Sequence, residues 1–414
     1  MRSQTLARWF VVATLLVANA TSSDAQASDS AGPPGSELSI YLMTMGQGDL
    51  VWERYGHNAI GIRDHRANTD IVYNWGLFSF DEPGFIGRFL RGETMYWMGG
   101  FDAAATLDSY RRFNRTVEVQ ELNLSPPQRV ALRDFIQFNA REENKYYRYD
   151  YFLDNCSTRV RDALDQVLGG ALKMATDTVQ TGTTYRWHSL RLMAEDRLMS
   201  VGINIGLGRP TDRPITAWQE MFIPMKVRDR VRELLVPDDS GRMVPLVTSE
   251  RALFQAQREP ERTAPPRMVL PLALLGLLLA KGLTWLAGRK QRAAGAVAIT
   301  VAVLLGALGV VLLFLRFMTQ HVATYDNTNL FVYNPLWIIV VPIYLLAGRG
   351  PRLRRPAFHL ASFAGALTAF GIIAPFLPGF TQGSFAVIAL AAPLGLAVAW
   401  LIRERTRPEP AATT

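Results

Sequence analysis

Cys156 is the only cysteine in the 414-residue chain, and it lies in the run YDYFLDNCSTRVRDAL. A thiol with no partner in its own chain is open to oxidation wherever disulfides form, so its presence in an exported protein points to a use. Asp154 and Asn155 read as helix-capping residues, and the stretch from Ser157 to Leu168 reads as a helix. Cys156 would then sit in the first turn, where free N–H groups and the helix dipole favour a thiolate. The alternative is a buried cysteine that packs as a small hydrophobe. A cysteine nucleophile needs a base, often with a third group to orient it. Of the five histidines, His57 is the best placed, because it follows Gly56 and opens the alternating strand HNAIGI. His65 falls in a turn, His188 on a helix, and His321 and His359 among the apolar C-terminal segments. The next strand, IVYNW, carries Tyr73 and Asn74. With the turn centred near residues 66–67, Asn74 falls diagonally opposite His57 and can orient its ring; a one-residue slip would put Tyr73 there instead.

An acyl-thioester mechanism also needs oxyanion donors. The Cys156 backbone N–H is the first, and Asn155, Ser157 or Gln47 could supply another. Arg159, one turn further on, could hold an anionic head group. One cysteine and scattered histidines give no metal-ligand spacing, and there is no Gly-rich nucleotide loop, so neither a metal nor another cofactor is expected.

These residues need a scaffold. The segments LSIYLM, HNAIGI, IVYNW, Met95 to Gly100 and Thr116 to Leu122 read as strands, and Pro126 to Arg141 as a helix before the cysteine helix. Strands followed by helices predict an α+β domain with a small antiparallel sheet over residues 38–250. Ahead of it, Arg2, Arg8, the apolar run Trp9 to Ala20 and Ala25-Gln26-Ala27 predict a signal peptide over residues 1–27, with a retained anchor as the alternative, and a polar lead-in at 28–37. Behind it, residues 251–267 read as a charged, Pro-containing linker.

Residues 268–402 hold five apolar segments, each near the ~20 residues that span a bilayer. Arg289, Lys290 and Arg292, then Arg349, Arg352, Arg354 and Arg355, then the tail at 403–414 with Arg403, Arg405 and Arg407, mark alternate connections as basic. The positive-inside rule makes those cytoplasmic and places the residue 38–250 domain on the outer side of the membrane. The net charge of +8 is therefore largely a topology signal and predicts no nucleic-acid partner. Lys281 is almost the only charge deep in a span, which argues against a transporter.

A histidine strand upstream of a cysteine helix reverses the papain order and resembles the permuted papain-like group that includes lecithin-retinol acyltransferase. More closely, GQGDLVWERYGHNAIGI, YNWGLFSF and YDYFLDNCSTRVRDAL resemble the Lnb family, as do the five spans and the loop HVATYDNTNLFVYNPL; the likeness covers about residues 38–402. It implies a lipoprotein N-acyltransferase that moves an acyl chain from a phospholipid donor to the terminal amine of a lipoprotein acceptor. Cys156 would carry the acyl group and His57 would be the base. Where lecithin-retinol acyltransferase-like enzymes use a second histidine, this chain offers Asn74. Two other classes share the same residues: a membrane-tethered cysteine peptidase, amidase or lipid hydrolase of the envelope, and a non-enzymatic assembly protein with a structural cysteine.

Overall fold

The apolar run Leu38–Met45 forms β1, almost wholly buried inside a seven-stranded antiparallel sheet. The chain is seen in a computed structural model that describes residues 32–238 and 240–408; the expected signal peptide lies outside the described residues. The other strands are β2 (His57–Asp64), β3 (Thr69–Leu77), β4 (Met95–Asp102), β5 (Val117–Leu122), β6 (Tyr146–Arg148) and an edge strand, Val247–Phe254. Their order is edge strand, β5, β1, β2, β3, β4, β6.

Side chains alternate across the sheet and make two cores. On one face Ile40, Leu42, Ile60, Ile62 and Trp75 pack with Leu132 and Ile136 of helix Pro126–Asn139 and with Val160 and Leu164 of helix Cys156–Val167. On the other, Tyr41, Met43, Met45 and Val72 are covered by Leu107 and Tyr110 of helix Ala103–Arg112. The cysteine helix is amphipathic: Val160, Ala163 and Leu164 are buried at helical spacing, while Asp162 and Asp165 face outward or sit at the boundary.

The β2–β3 hairpin is set by its turn. The N–H groups of Arg66 and Ala67 both donate to Asp64 Oδ1 at 2.9 Å, and Asn68 takes the left-handed conformation at φ 54°. Asp64 therefore pairs with Thr69, and the register carries Ala59 opposite Asn74.

Part of the expected linker belongs to the sheet, since the edge strand runs to Phe254 and Arg258 pairs with Asp49. Its run of exposed polar and charged side chains hides it, because an edge strand with one face in water lacks an apolar signature. The His188 segment forms helix Tyr185–Leu192, and helix Arg197–Gly206 follows it, with Asp196 capping the second.

Among the described residues, five helices are long and apolar enough to cross a bilayer: Val269–Arg289, Gln291–Phe317, Thr328–Ala347, Pro351–Phe376 and Phe385–Thr406. Small residues bring them close, among them Ala294, Ala298, Ala302, Ala361 and Ala364. The fifth packs against the first, second and fourth. At one end of the bundle Arg405 donates to Tyr344 Oη at 2.8 Å and to the Gln291 carbonyl, gathering the basic ends. At the other end, loops 318–335 and 377–384 meet the N-terminal domain. The chain is thus an α+β domain followed by a membrane domain of five apolar helices.

That junction is made by polar side chains. Asn327 Nδ2 donates to the carbonyls of Ile205 and Gly206, and Asn329 Nδ2 to those of Asn204 and Ile205, closing the last turn of helix Arg197–Gly206. Buried Arg186 binds Asp212 and the carbonyls of Asn204, Leu207 and Gly208, and Asp212 in turn accepts the Gly383 N–H. The loop before the third span is therefore docked, and its asparagines are buried rather than solvated.

Candidate active site

Cys156 is the first residue of its helix and is partly exposed. Asn155 caps the helix: its Oδ1 accepts the N–H groups of Ser157 and Thr158, both at 2.9 Å, while Thr158 Oγ1 accepts the Asn155 N–H at 2.7 Å. Asn155 Nδ2 donates to the carbonyls of Tyr151 and Phe222, each at 2.9 Å, which ties this turn to a distant segment. With the next two amides taken, the Cys156 N–H is left without an acceptor among the described residues and is a donor at the helix start.

His57 and Asn74 lie on one face of the hairpin, and His57 Nε2 is 3.0 Å from Asn74 Oδ1. Asn74 Nδ2 donates to the Val72 carbonyl at 3.0 Å, so the oxygen of its amide is the atom offered to the ring. Nε2 then carries the proton, and Nδ1 is left unprotonated for the thiol. Burial pushes the Cys156 thiol up, but the charge and hydrogen bond of His57, the Asn58 backbone N–H and the Ser157 hydroxyl outweigh it, and the thiol titrates below its ordinary value.

The other expected site residues have different work. Asn155 is nearly fully buried with both ends of its amide spent on the cap, so its side chain cannot serve as an oxyanion donor. Ser157 is fully buried with its N–H on Asn155, and its hydroxyl is 3.9 Å from the sulfur, which makes it a neighbour of the thiolate. Gln47 donates to the Arg54 carbonyl and braces the loop leading into His57. Arg159 is held by both oxygens of Asp154 and lies 4.2 Å over the Tyr147 ring, so it is not a free cation for a head group. It lines a cleft of about 320 Å³ with Trp75, Leu153 and Asp162 that does not include Cys156 or His57. Among the described residues no group of three His, Cys, Asp or Glu side chains is placed to hold a metal ion.

Three residues that the motifs did not single out complete the surroundings. Gly76, at φ 86°, sits in an irregular stretch of the β3–β4 pairing; a Cβ there would lie 3.4 Å from both the Cys156 Cβ and the Tyr149 ring and 3.7 Å from the Tyr147 hydroxyl. Tyr147 is buried, and among the described residues its hydroxyl has no hydrogen-bond partner. Burial first, and then the negative charge at Cys156, hold that hydroxyl protonated. Tyr149 stacks on Tyr96 at 4.3 Å and meets Tyr151 edge-on, and Tyr151 stacks on His321 of the 318–335 loop at 6.1 Å. The sequence signal was available in the period-two spacing of Tyr147, Tyr149 and Tyr151 just before the cysteine.

Two family models match the chain: the Lnb N-terminal periplasmic domain over residues 32–194 and the Lnb transmembrane domain over residues 259–407. No curated protein and no solved structure matches it.

Proposed function

Since the chain belongs to the Lnb family, we propose that it is a membrane-bound thiol acyltransferase that moves an acyl chain from a phospholipid, through a Cys156 thioester, to an amine acceptor, the N-terminal cysteine of a lipoprotein. The observation that carries this reading is the His57–Asn74 hydrogen bond, which leaves His57 Nδ1 as the base for a thiol at a helix start. A histidine strand ahead of a cysteine helix also fits the permuted papain-like order.

In the first half-reaction the Cys156 thiolate attacks the glycerol ester carbonyl. The negative oxygen of the tetrahedral intermediate is received by the Cys156 N–H and by the Tyr147 hydroxyl, which has no other partner among the described residues. The carbon–oxygen bond to glycerol breaks, the His57 imidazolium gives its Nδ1 proton to the leaving oxygen, and lysophospholipid departs. In the second, the acceptor amine attacks the thioester carbonyl and passes a proton to Nδ1. The carbon–sulfur bond then breaks, leaving an amide and the thiolate. Asn74 stays on Nε2 throughout and prevents the ring from turning over.

The basic ends of the bundle lie away from the N-terminal domain, which supports a cytoplasmic C-terminus and a periplasmic site in the inner membrane, next to donor lipid and lipoprotein. The test is the purified protein in phospholipid vesicles with a synthetic diacylated lipopeptide bearing a free terminal amine. The expected product is the lipopeptide heavier by one acyl chain, with lysophospholipid in equal amount. Release of free fatty acid at a rate indifferent to the amine would replace this reading with a hydrolase.

A further inference from the structure

Helix Phe85–Arg91 buries Phe85 but leaves Ile86 at 58%, Phe89 at 37% and Leu90 at 54% exposure, an apolar stripe at i, i+3 and i+4 turned away from the core. Trp52 and Phe80, also about half exposed, extend the stripe; the two rings are 5.4 Å apart and Phe80 meets Phe85 at 5.3 Å. A contiguous apolar patch on an extracytoplasmic domain marks something that covers it.

The structure says where this patch is. The Arg91 carbonyl accepts the Gln320 N–H at 2.7 Å, and the Phe89 carbonyl is 2.9 Å from His321 Nε2. Gln320 follows the end of the second span, Phe317, by three residues, a reach of at most about 10 Å. Phe317 and Met318, at the same level, are themselves exposed. Beside them Arg148 is exposed, with its guanidinium on the Gln320 carbonyl and, among the described residues, no carboxylate partner. A short helix with a bare apolar stripe, fixed at the end of a span and flanked by a free arginine, is an interfacial element. From it an aromatic track leads inward: Phe89 to Phe85 at 6.1 Å, Phe85 to Phe78 at 5.8 Å, Phe78 to Tyr96 at 5.0 Å and Tyr96 to Tyr149 at 4.3 Å, beside Cys156.

We propose that the stripe Ile86, Phe89 and Leu90, with Trp52 and Phe80, is seated in the outer leaflet of the same bilayer that holds the five spans, with Arg148 at the phosphate level, and that donor phospholipid reaches Cys156 sideways along the aromatic track. The leaflet contact stands independently, while the sideways path rests on the acyl-transfer reading above.

The single native cysteine makes the leaflet contact directly testable. In full-length Cys156→Ser protein, Leu90→Cys is labelled with an environment-sensitive fluorophore and reconstituted in phosphatidylethanolamine–phosphatidylglycerol nanodiscs. Met174→Cys, on helix Ala171–Thr176 that packs against the cysteine helix, is the control. The expected result is several-fold stronger quenching at Leu90 than at Met174 by lipids carrying a doxyl group near the headgroup end. Equal quenching overturns the proposal. The path is tested with Ile86→Ser/Leu90→Ser in otherwise native protein. Acylation of Cys156 by bilayer phospholipid should slow several-fold while acylation by a water-soluble short-chain ester is unchanged. Equal loss with both esters overturns the path. Failure of the native protein to acylate with any ester overturns the acyl-transfer reading and leaves the quenching result standing.

Discussion

Asn74 decides which nitrogen of His57 meets the thiol, and that one hydrogen bond makes the site's behaviour with pH calculable in direction. His57 and the Asn58 N–H pull the thiol below its ordinary value against burial, so thiolate persists to lower pH than in free cysteine. Iodoacetamide reacts with the thiolate, and its rate on the native protein should reach half its plateau below the pH seen for free cysteine. In His57→Ala burial acts with less opposition, the midpoint should move up, and acylation should fall by about 10²–10⁴-fold. A proton held more weakly in the folded than in the unfolded chain also means that folding gains stability as pH rises through the folded value and has gained it fully above the unfolded one. Tyr147→Phe removes only a hydroxyl that has no partner among the described residues; stability should hold or rise, since an unpaired buried hydroxyl costs about 1–3 kcal/mol, while acylation slows by about 10²-fold or more. Unchanged acylation in Tyr147→Phe, measured by single-turnover mass spectrometry, would remove the tyrosine from the oxyanion site. Cys156, His57 and Asn74 were legible in the sequence because a capping Asn, a Gly-His strand start and a countable turn fix them locally. Arg159 and Asn155 misled because the partners that occupy them, Asp154 and the first-turn amides, are matters of side-chain direction. Tyr147 shares a legible period-two spacing with Tyr149 and Tyr151, but only the pairing of β6 with β4 brings it near the thiol.

At the scale of elements, the irregular β3–β4 pairing and the domain junction each depend on one close approach. Gly76→Ala meets only ordinary contact distances, but φ 86° costs an L-residue about 1–2 kcal/mol, and relief of that strain would shift Cys156 and Tyr149. Acylation should fall further than melting temperature does. Gly208 donates its N–H to the Ala323 carbonyl at 2.8 Å, and a Cβ there would lie 1.8 Å from the Tyr325 carbonyl oxygen. Gly208→Ala should therefore loosen the loop before the third span from the domain, read as faster proteolysis between residues 318 and 335 in detergent while the isolated strands keep their circular dichroism; native protection would contradict this. The strands and spans were legible as elements because their apolar patterns have a period. The edge strand Val247–Phe254 and the docked loop were not, since their partners are distant backbone groups with no sequence period at all.

Taken as a whole molecule, the chain sets a helix-start thiol on an α+β domain and fastens that domain to a five-helix bundle through Arg186, Asp212 and the two asparagines Asn327 and Asn329 ahead of the third span. Hydropathy announced the bundle and the basic loops its ends, but how domain and bundle face each other rests on tertiary hydrogen bonds that no local pattern encodes. On the proposal above, that mutual placement sets Cys156 an aromatic track away from the bilayer and makes the thiol a candidate for lipid chemistry. The central claim is that Cys156 carries an acyl group. Intact mass of the purified protein after incubation with phospholipid tests it most directly, with wild type beside Cys156→Ala and His57→Ala. The account predicts a hydroxylamine-sensitive gain of one acyl chain on wild type, slow on His57→Ala and absent from Cys156→Ala. No adduct with any phospholipid, together with a Cys156→Ala protein that still restores a deletion strain, would contradict it.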